Sequence, residues 1–230
     1  MYAELHAEHG VGLHMGQGAE RFEGDDRVRA VLTTDGARLP CDFVVTGVGI
    51  APVTELAQGT AIEVSNGVLV DERCRTSVPG VFAAGDVANH LHPVFGRLRV
   101  EHYDNALKQG VAAARSMLDH PEPYDDLHWF WSDQYDTNLQ YIGAAPEGAE
   151  FVARGSLEGR SFTGFYLHEG LVRAVVGMDR GREVRRAAAL IRSRARVDPR
   201  ALADDDVEMK ELVARARRAS GEQSEGSVTA

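Results

Sequence analysis

The stretch VFAAGDVANH, residues 81–90, is the segment on which the interpretation of this chain depends. Val81 and Phe82 lead into three small residues and then into the carboxylate of Asp86. The pattern predicts a buried strand over 81–84 that ends where a large molecule can approach the backbone, because glycine has no Cβ atom. Asp86 then has two possible roles: it binds ligand hydroxyl groups, or it belongs to a turn that ends the strand.

A helix is predicted after this strand, over residues 101–118, and its free N–H groups would favour negative charge near Asp86. Its apolar stripe runs through Leu107, Val111, Ala114 and Leu118. The intervening segment HLHPVFGRLR (90–99) is predicted to be a loop.

The N-terminal part begins with a helix over 2–9, capped by Gly10, and a short strand over 11–15. Hairpins are predicted at Asp35-Gly36 and at Asn66-Gly67, two dipeptides typical of tight β-turns. The apolar run DFVVTGVGI (42–50) predicts a strand that ends at Gly47 and Gly49.

The last hundred residues have a different pattern, which predicts successive antiparallel strands separated by glycine-containing turns. The strands are LQYIGAA (139–145), AEFVARGSL (149–157), RSFTGFYL (160–167) and LVRAVVGM (171–178). A helix over 182–194 with Asp179 as its N-cap and a short helix over 207–217 follow.

Composition excludes several classes of protein. The 230 residues carry a net charge of -10, which argues against a general nucleic-acid binder. No apolar run approaches the ~20 residues of a membrane span, and no secretory signal is recognisable, so a cytoplasmic location is expected. Cys41 and Cys74 form no C-x-x-C pair, and the histidines, including His90 and His92, are expected to be solvated rather than metal-bound.

The segment around the opening stretch, residues 62–89, resembles the flavin-proximal part of flavoproteins with two dinucleotide-binding domains, the glutathione-reductase-like superfamily. The resemblance implies that Gly85, Asp86 and Val87 contact FAD, with Asp86 on the ribityl chain. VEHYDNALKQG (100–110) is similar to the helix whose N-terminus faces the flavin, which implies that Glu101, His102 and Tyr103 lie beside the ring.

Two further segments narrow the resemblance. WFWSDQYDTNLQYIG (129–143) and RGSLEGRSFTGFYL (154–167) resemble the C-terminal domain of ferredoxin reductases of the putidaredoxin-reductase and biphenyl-dioxygenase-reductase type. The family implies FAD as cofactor, NAD(P)H as substrate and a [2Fe–2S] ferredoxin as partner. It also implies that the aromatic run covers the exposed flavin edge, with Trp131 as the favoured residue.

The fold expected from this resemblance is α/β: part of a two-dinucleotide-binding-domain flavoprotein plus a small α+β domain with an antiparallel sheet. The expected boundaries are 1–48 for the second half of an NAD(P)-binding domain and 49–122 for the C-terminal segment of an FAD-binding domain. The reductase C-terminal domain then covers 123–218, and 219–230 form a disordered tail.

The glycine-rich G-x-G-x-x-G motifs of such enzymes do not occur in these 230 residues. Gly47 and Gly49 form a G-x-G without the third glycine, and they mark either close approach of the nicotinamide nucleotide or a tight interdomain turn. The pyrophosphate-binding half of the FAD site is therefore expected to be missing. The chain alone is expected to be colourless, inactive with NAD(P)H and prone to self-association.

Arginines in the region 182–196 have two interpretations: a solvated helix face, or a docking patch for an acidic ferredoxin. Two alternatives to a ferredoxin reductase also remain from the sequence. One is a related flavoprotein with another acceptor, such as oxygen or a quinone. The other is a non-catalytic fragment that serves as a fold or partner-binding module.

Overall fold

The computed structural model describes the backbone of residues 1–226 and the side chains of residues 1–221. It divides into two compact units, Met1–Ala51 and Pro52–Ala230. Within the described part, no helix has both the length and the apolar character required to cross a bilayer.

The first unit contains helix α1 and a three-stranded antiparallel sheet in the order β1-β2-β3. Helix α1 ends in the predicted glycine cap, where the amide of Gly10, at φ 79°, donates to the carbonyl of Ala7. The predicted hairpin at Asp35-Gly36 is confirmed, because β2 and β3 pair across it. The elements of this unit are α1 (Tyr2–Glu8), β1 (Ala19–Glu23), β2 (Ala30–Thr33) and β3 (Arg38–Pro40).

Two strands predicted in this unit do not form. Residues 11–15 and the apolar run 42–50 have no regular structure. Within the apolar run, Phe43, Val45 and Val48 are 75%, 83% and 93% exposed. A continuous apolar run is typical of a central strand that is paired on both edges and covered on both faces. No strand of this unit pairs with residues 42–50, so the run does not form a strand.

The second unit begins with a small sheet in the order β4-β5-β6, parallel between β4 and β5 and antiparallel between β5 and β6. The predicted strand over 81–84 is reduced to one bridge, between Arg75 and Phe82. The predicted loop 90–99 is instead mostly the β5–β6 hairpin. The elements are β4 (Val68–Val70), a 3-10 turn (Gly85–Val87), β5 (Ala88–His92), β6 (Gly96–Arg99) and α2 (Tyr103–Met117).

Helix α2 forms as predicted, but it faces the opposite way. The side chains of its apolar stripe are exposed, with Leu107 at 59% and Leu118 at 72%. Its buried residues are Asn105, Gln109, Ala113 and Ser116. The inward face of α2 is therefore largely polar.

The C-terminal part is a five-stranded antiparallel sheet in the order β7-β8-β11-β10-β9, and it confirms the four predicted strands. Helices α3, α4 and α5 follow, and α3 and α5 pack against each other. Phe165, Val175 and Leu190 lie completely buried in the resulting core. The elements are β7 (Trp129–Gln134), β8 (Thr137–Gly143), β9 (Glu150–Ser156), β10 (Ser161–His168), β11 (Leu171–Met178), α3 (Gly181–Ser193), α4 (Pro199–Ala203) and α5 (Met209–Gly226).

Asp179 does not cap α3. The N-cap residue is Arg180, and Asp179 instead has a φ of 55° and accepts a hydrogen bond from the amide of Asn138 at 2.8 Å. Helix α5 extends into the segment 219–230, which the sequence predicts to be a disordered tail. Residues 227–230 of that segment lie outside the described residues.

Candidate functional site

The turn that carries Asp86 is fixed by hydrogen bonds to its backbone, while the Asp86 carboxylate is exposed. Gly85 is buried with a φ of 76°, a conformation that favours glycine, and its amide donates to the side chain of Gln109 at 2.8 Å. The amide of Ala88 donates to the carbonyl of Gly85 and closes the turn. Asp86 itself is exposed. An acceptor carboxylate is thus presented to solvent on a fixed backbone.

The start of α2 supplies free donors beside this turn. His102 is the N-cap residue and makes no side-chain capping bond. The first intrahelical bond runs from the amide of Ala106 to the carbonyl of His102 at 3.0 Å. The amides of residues 103–105 therefore have no acceptor within the helix, and the positive end of the helix dipole favours an anionic group there. The side chain of Tyr103 is 76% exposed at this end.

His102 connects the helix start to the C-terminal sheet. Its ring lies 4.9 Å from the ring of Phe130, centroid to centroid. Burial lowers the pKa of His102 below its usual value, while the negative charges of Asp86, Asp104 and Glu101 act in the opposite direction. The net shift favours the neutral imidazole, and its buried Nδ1 has no hydrogen-bond partner among the described residues.

A cavity of about 530 Å³ opens between the helix start and the sheet. Its polar lining includes Arg99, Glu101, His102 and His128. Phe130 and Tyr141, which stack at 5.4 Å, supply its aromatic wall. Aromatic surface with a few polar groups is typical of sites for small organic ligands.

The polar inward face of α2 fixes the loops around the site. Gln109 holds Gly85, and the side-chain amide of Asn105 donates to the carbonyl of Val100 at 3.2 Å. The hydroxyl of Tyr124 in turn donates to the side-chain oxygen of Asn105 at 3.1 Å. Gln109 is not among the site residues predicted from the sequence. The signal that could have found it is a pair of amide side chains, Asn105 and Gln109, four residues apart on one helix face.

The aromatic run is divided between the two faces of β7. Trp129 and Trp131 stack on each other at 4.8 Å, whereas Phe130 faces Tyr141 and His102. The ring of Trp131 is 43% exposed. The structure therefore brings Phe130, rather than Trp131, into contact with the predicted residue His102.

The histidines His90 and His92 are buried, which corrects the prediction that they are solvated. With His128 they form a cluster in which the rings of His92 and His128 lie 4.9 Å apart. Burial lowers the pKa of His90 to about 4 and that of His128 to about 3. Within residues 1–221, no group of three or more His, Cys, Asp or Glu side chains could hold a metal ion. Because burial lowers the pKa of all three histidines, the neutral form of these rings is favoured.

Comparisons with known proteins divide the chain into two family matches. Residues 1–110 match the family described as pyridine nucleotide-disulphide oxidoreductase, and residues 129–213 match the family described as reductase C-terminal. Together the two matches cover most of the chain, and the relatives it resembles are ferredoxin reductases. The predicted resemblance and the predicted fold class are both confirmed.

These relatives are about twice as long as the chain. The chain is 40% identical over 217 residues to the ferredoxin reductase subunit of 5,5'-dehydrodivanillate O-demethylase from Sphingobium, covering 93% of this chain and 53% of that protein. It is 36% identical to putidaredoxin reductase from Pseudomonas putida, covering 94% and 52%. The solved covalent putidaredoxin reductase–putidaredoxin complex matches with a TM-score of 0.87 at 37% identity, again covering 94% of this chain and 53% of the other.

The resemblance to ferredoxin reductases implies FAD, and residues of the second unit fit part of that cofactor. The exposed carboxylate of Asp86 is chemically suited to ribityl hydroxyls, since an ionised carboxylate is a strong acceptor. The free amides at the start of α2 are suited to the electron-rich edge of a flavin ring. The fit concerns the ring and the ribityl chain.

Gly47 and Gly49 lie in the first unit, in a segment without regular structure. Gly49 has a φ of 87°, and a Cβ atom at either position would meet nothing within 4 Å. Open space at both positions is compatible with the close approach of a ligand. It is equally compatible with an exposed turn, so both sequence interpretations of these glycines remain.

The arginines of the predicted docking region differ in their availability. Arg192 pairs with Asp126 at 3.2 Å, and Arg194 donates to the carbonyl of Pro93 at 2.9 Å. Arg182 and Arg186, four residues apart on α3, are exposed, and no ion pair within 4.0 Å is found for either among the described side chains. The region therefore contains an available pair of cations as well as cations with internal partners.

Proposed function

We propose that this chain provides the flavin-ring and ferredoxin-facing part of an FAD-dependent NAD(P)H:ferredoxin oxidoreductase, the electron-transfer component of an oxygenase system. FAD supplies the chemistry when bound: it accepts a hydride from NAD(P)H and releases single electrons to a [2Fe–2S] ferredoxin. The observation that carries the proposal is the exposed Asp86 carboxylate beside the free amides of α2, in a chain that resembles ferredoxin reductases.

The side chains have binding and positioning roles. Asp86 accepts hydrogen bonds from the ribityl hydroxyls, and the amides of residues 103–105 bind the electron-rich ring edge. Gly85 and Val87 bring the backbone close, and Glu101, His102 and Tyr103 border the ring. Phe130, in contact with His102, takes the place beside the ring that the sequence predicts for Trp131. Gly47 and Gly49 accommodate the nicotinamide nucleotide. Once both electrons of the hydride had left for the ferredoxin, its proton would be released, and no side chain is assigned to that proton transfer.

The ferredoxin partner docks on the exposed face of α3. Arg182 and Arg186 present two cations in one turn of helix, where they would steer an acidic partner during encounter. Soluble partners and a cytoplasmic location agree with this function. Nucleic acid and membrane are not partners in this proposal.

The flavin site can be tested with molecules that each represent one part of FAD. Riboflavin contains the ring and the ribityl chain, lumiflavin contains the ring alone, and ADP represents the other half of FAD. We expect riboflavin to bind, as measured by fluorescence quenching, and ADP not to compete with it. Asp86→Ala should weaken riboflavin binding about tenfold or more, since a charge-assisted hydrogen bond contributes roughly 1.5–3 kcal/mol. Lumiflavin binding should not change.

Asp206→Ala is the matched control, because Asp206 is an exposed aspartate outside the site. Equal riboflavin affinity in the Asp86→Ala variant and the parent would refute the role of Asp86. Binding of ADP in preference to riboflavin would refute the assignment of the half-site.

The docking surface is tested by charge reversal and calorimetry with putidaredoxin as the probe. We expect Arg182→Glu with Arg186→Glu to weaken binding at low salt and to flatten its salt dependence, because screening acts over ~8 Å at physiological ionic strength. Arg200→Glu reverses one exposed charge on α4, outside the proposed docking face, and is the control for a charge reversal elsewhere on the surface. A double variant that binds putidaredoxin as tightly as the parent would exclude this face as the docking site.

A further inference from the structure

Arg99, at the end of β6, connects the two segments that make up the flavin site. Its Nη1 donates to the backbone carbonyl of Asp86 at 3.1 Å and forms an ion pair with the carboxylate of Glu101. The side chain of Arg99 is only 9% exposed. One guanidinium thus holds the Asp86 turn and the approach to α2 at the same time.

Packing fixes the arginine stem as well as its head. A Cβ atom on Gly67 would lie 2.5 Å from the carbonyl oxygen of Val87 and 2.9 Å from Cδ of Arg99. The turn at Gly67 therefore lies directly against both the 85–87 turn and the arginine.

Stability alone does not explain this arrangement. The Nε of Arg99 is buried and has no acceptor among the described residues. Burial of a charged group with an unpaired donor costs free energy, and a buried ion pair is weak evidence of net stabilisation. A geometric role accounts better for an arginine in this position.

We propose that Arg99 is a positioning residue for the flavin. It fixes the backbone of Asp86, so that the carboxylate points at the ribityl chain, and it neutralises Glu101 beside the ring. The inference rests on the proposed function for its ligand, but the clamp itself is a property of this chain. Arg99 acts through Asp86 and Glu101 and is not a catalytic residue.

The clamp is tested first without any ligand. The amide of Ala88, which donates to Gly85 and closes the turn, should exchange its hydrogen about tenfold faster or more in Arg99→Gln, the change that roughly 1.4 kcal/mol represents. Exchange is measured relative to the slowest amides of β10 and β11, which report global stability. Arg99→Lys should give an intermediate result, since lysine keeps the charge without the fork of donors.

Arg97→Gln is the matched control on the same strand. Arg97 donates to the carbonyls of Val70 and Asn89, at 3.3 and 2.7 Å, and not to the 85–87 turn. Its replacement should leave the relative exchange at Ala88 within about twofold of the parent. Unchanged exchange at Ala88 in Arg99→Gln would overturn the clamp.

Riboflavin and lumiflavin then test the consequence for the ligand. Arg99→Gln should weaken riboflavin binding about tenfold and lumiflavin binding much less, because the clamp acts mainly through Asp86 and the ribityl chain. Fast exchange at Ala88 with parental riboflavin affinity would overturn the flavin role of Arg99. Absence of riboflavin binding in the parent would instead refute the proposed function, and the exchange data would still decide whether the clamp exists.

Discussion

Acid should unfold the second unit through its buried histidines, and the effect can be worked out from their contacts. The amide of Val94 donates to Nδ1 of His92 at 3.0 Å, so this nitrogen is an unprotonated acceptor. Nε2 therefore carries the proton and donates to the carbonyl of Asp126 at 3.1 Å. Protonation of Nδ1 would turn the first contact into one between two donors.

The other two rings of the cluster are also buried. Burial is the main cause of the lowered pKa of His90, and it outweighs a hydrogen bond to the backbone of Glu72, which acts in the opposite direction. Neither nitrogen of His128 has a hydrogen-bond partner among the described residues. For His128 the neighbouring histidines add to the effect of burial.

The sign and size of the pH effect follow from linkage. The unfolded chain takes up these protons near pH 6.5, whereas the folded values are about 4 for His90 and about 3 for His128. The two rings therefore do not reduce the free energy of unfolding above about pH 7. That free energy falls as the pH decreases below the histidine pKa of the unfolded chain. At pH 5 the loss is about 2 kcal/mol for each of the two rings, a large share of a typical 5–15 kcal/mol.

Urea denaturation at pH 8, 7, 6 and 5, followed by the fluorescence of Trp129 and Trp131, measures this loss. We expect a decrease of about 4 kcal/mol from these two rings between pH 8 and pH 5. His128→Phe should reduce the decrease by about 2 kcal/mol, because phenylalanine fits among the same rings without titrating. His168→Phe, at an exposed position, is the control. An identical pH dependence in the parent and in His128→Phe would refute the reasoning.

Further predictions concern stability at pH 7.5, measured by the same denaturation. Arg154→Met should cost about 3 kcal/mol or more, because the nearly buried guanidinium pairs with Glu183 at 2.6 Å and donates to the carbonyl of Asp204 at 2.6 Å. An unchanged midpoint would show that the pair adds nothing. Gly177→Ala should cost about 1–3 kcal/mol, since its Cβ would overlap the side chain of Val184. Gly110→Ala should stabilise α2 by up to about 1 kcal/mol, as its Cβ meets nothing within 4 Å; destabilisation would indicate a hidden contact.

The C-terminal sheet could be predicted from the sequence because its pairing is local. Strands β9, β10 and β11 are joined by short turns, and turn residues such as Gly170, at a φ of 76°, mark where each strand ends. The same locality explains why the hairpin at Asp35-Gly36 was found.

An apolar run alone did not predict a strand correctly. The runs 42–50 and 81–84 are apolar enough for strands, yet a strand also needs a neighbour for its backbone. No strand pairs with 42–50, and 81–84 forms only the bridge between Arg75 and Phe82. Strand β5 was missed for another reason. His90 and His92 point inward while Leu91 between them is 41% exposed, so the polarity of the pattern is reversed.

The orientation of α2 has a physical cause that links fold and site. The loops beside it leave the amide of Gly85 and the carbonyl of Val100 without backbone partners, and Gln109 and Asn105 supply those partners. An unsatisfied buried group costs about 1–3 kcal/mol, which is comparable with the 1.5–3 kcal/mol gained by burying one leucine. Amide side chains therefore compete with leucines for the inward face. A helix that turns amides toward a glycine–aspartate turn is organised around that turn, and its outward apolar stripe is the consequence.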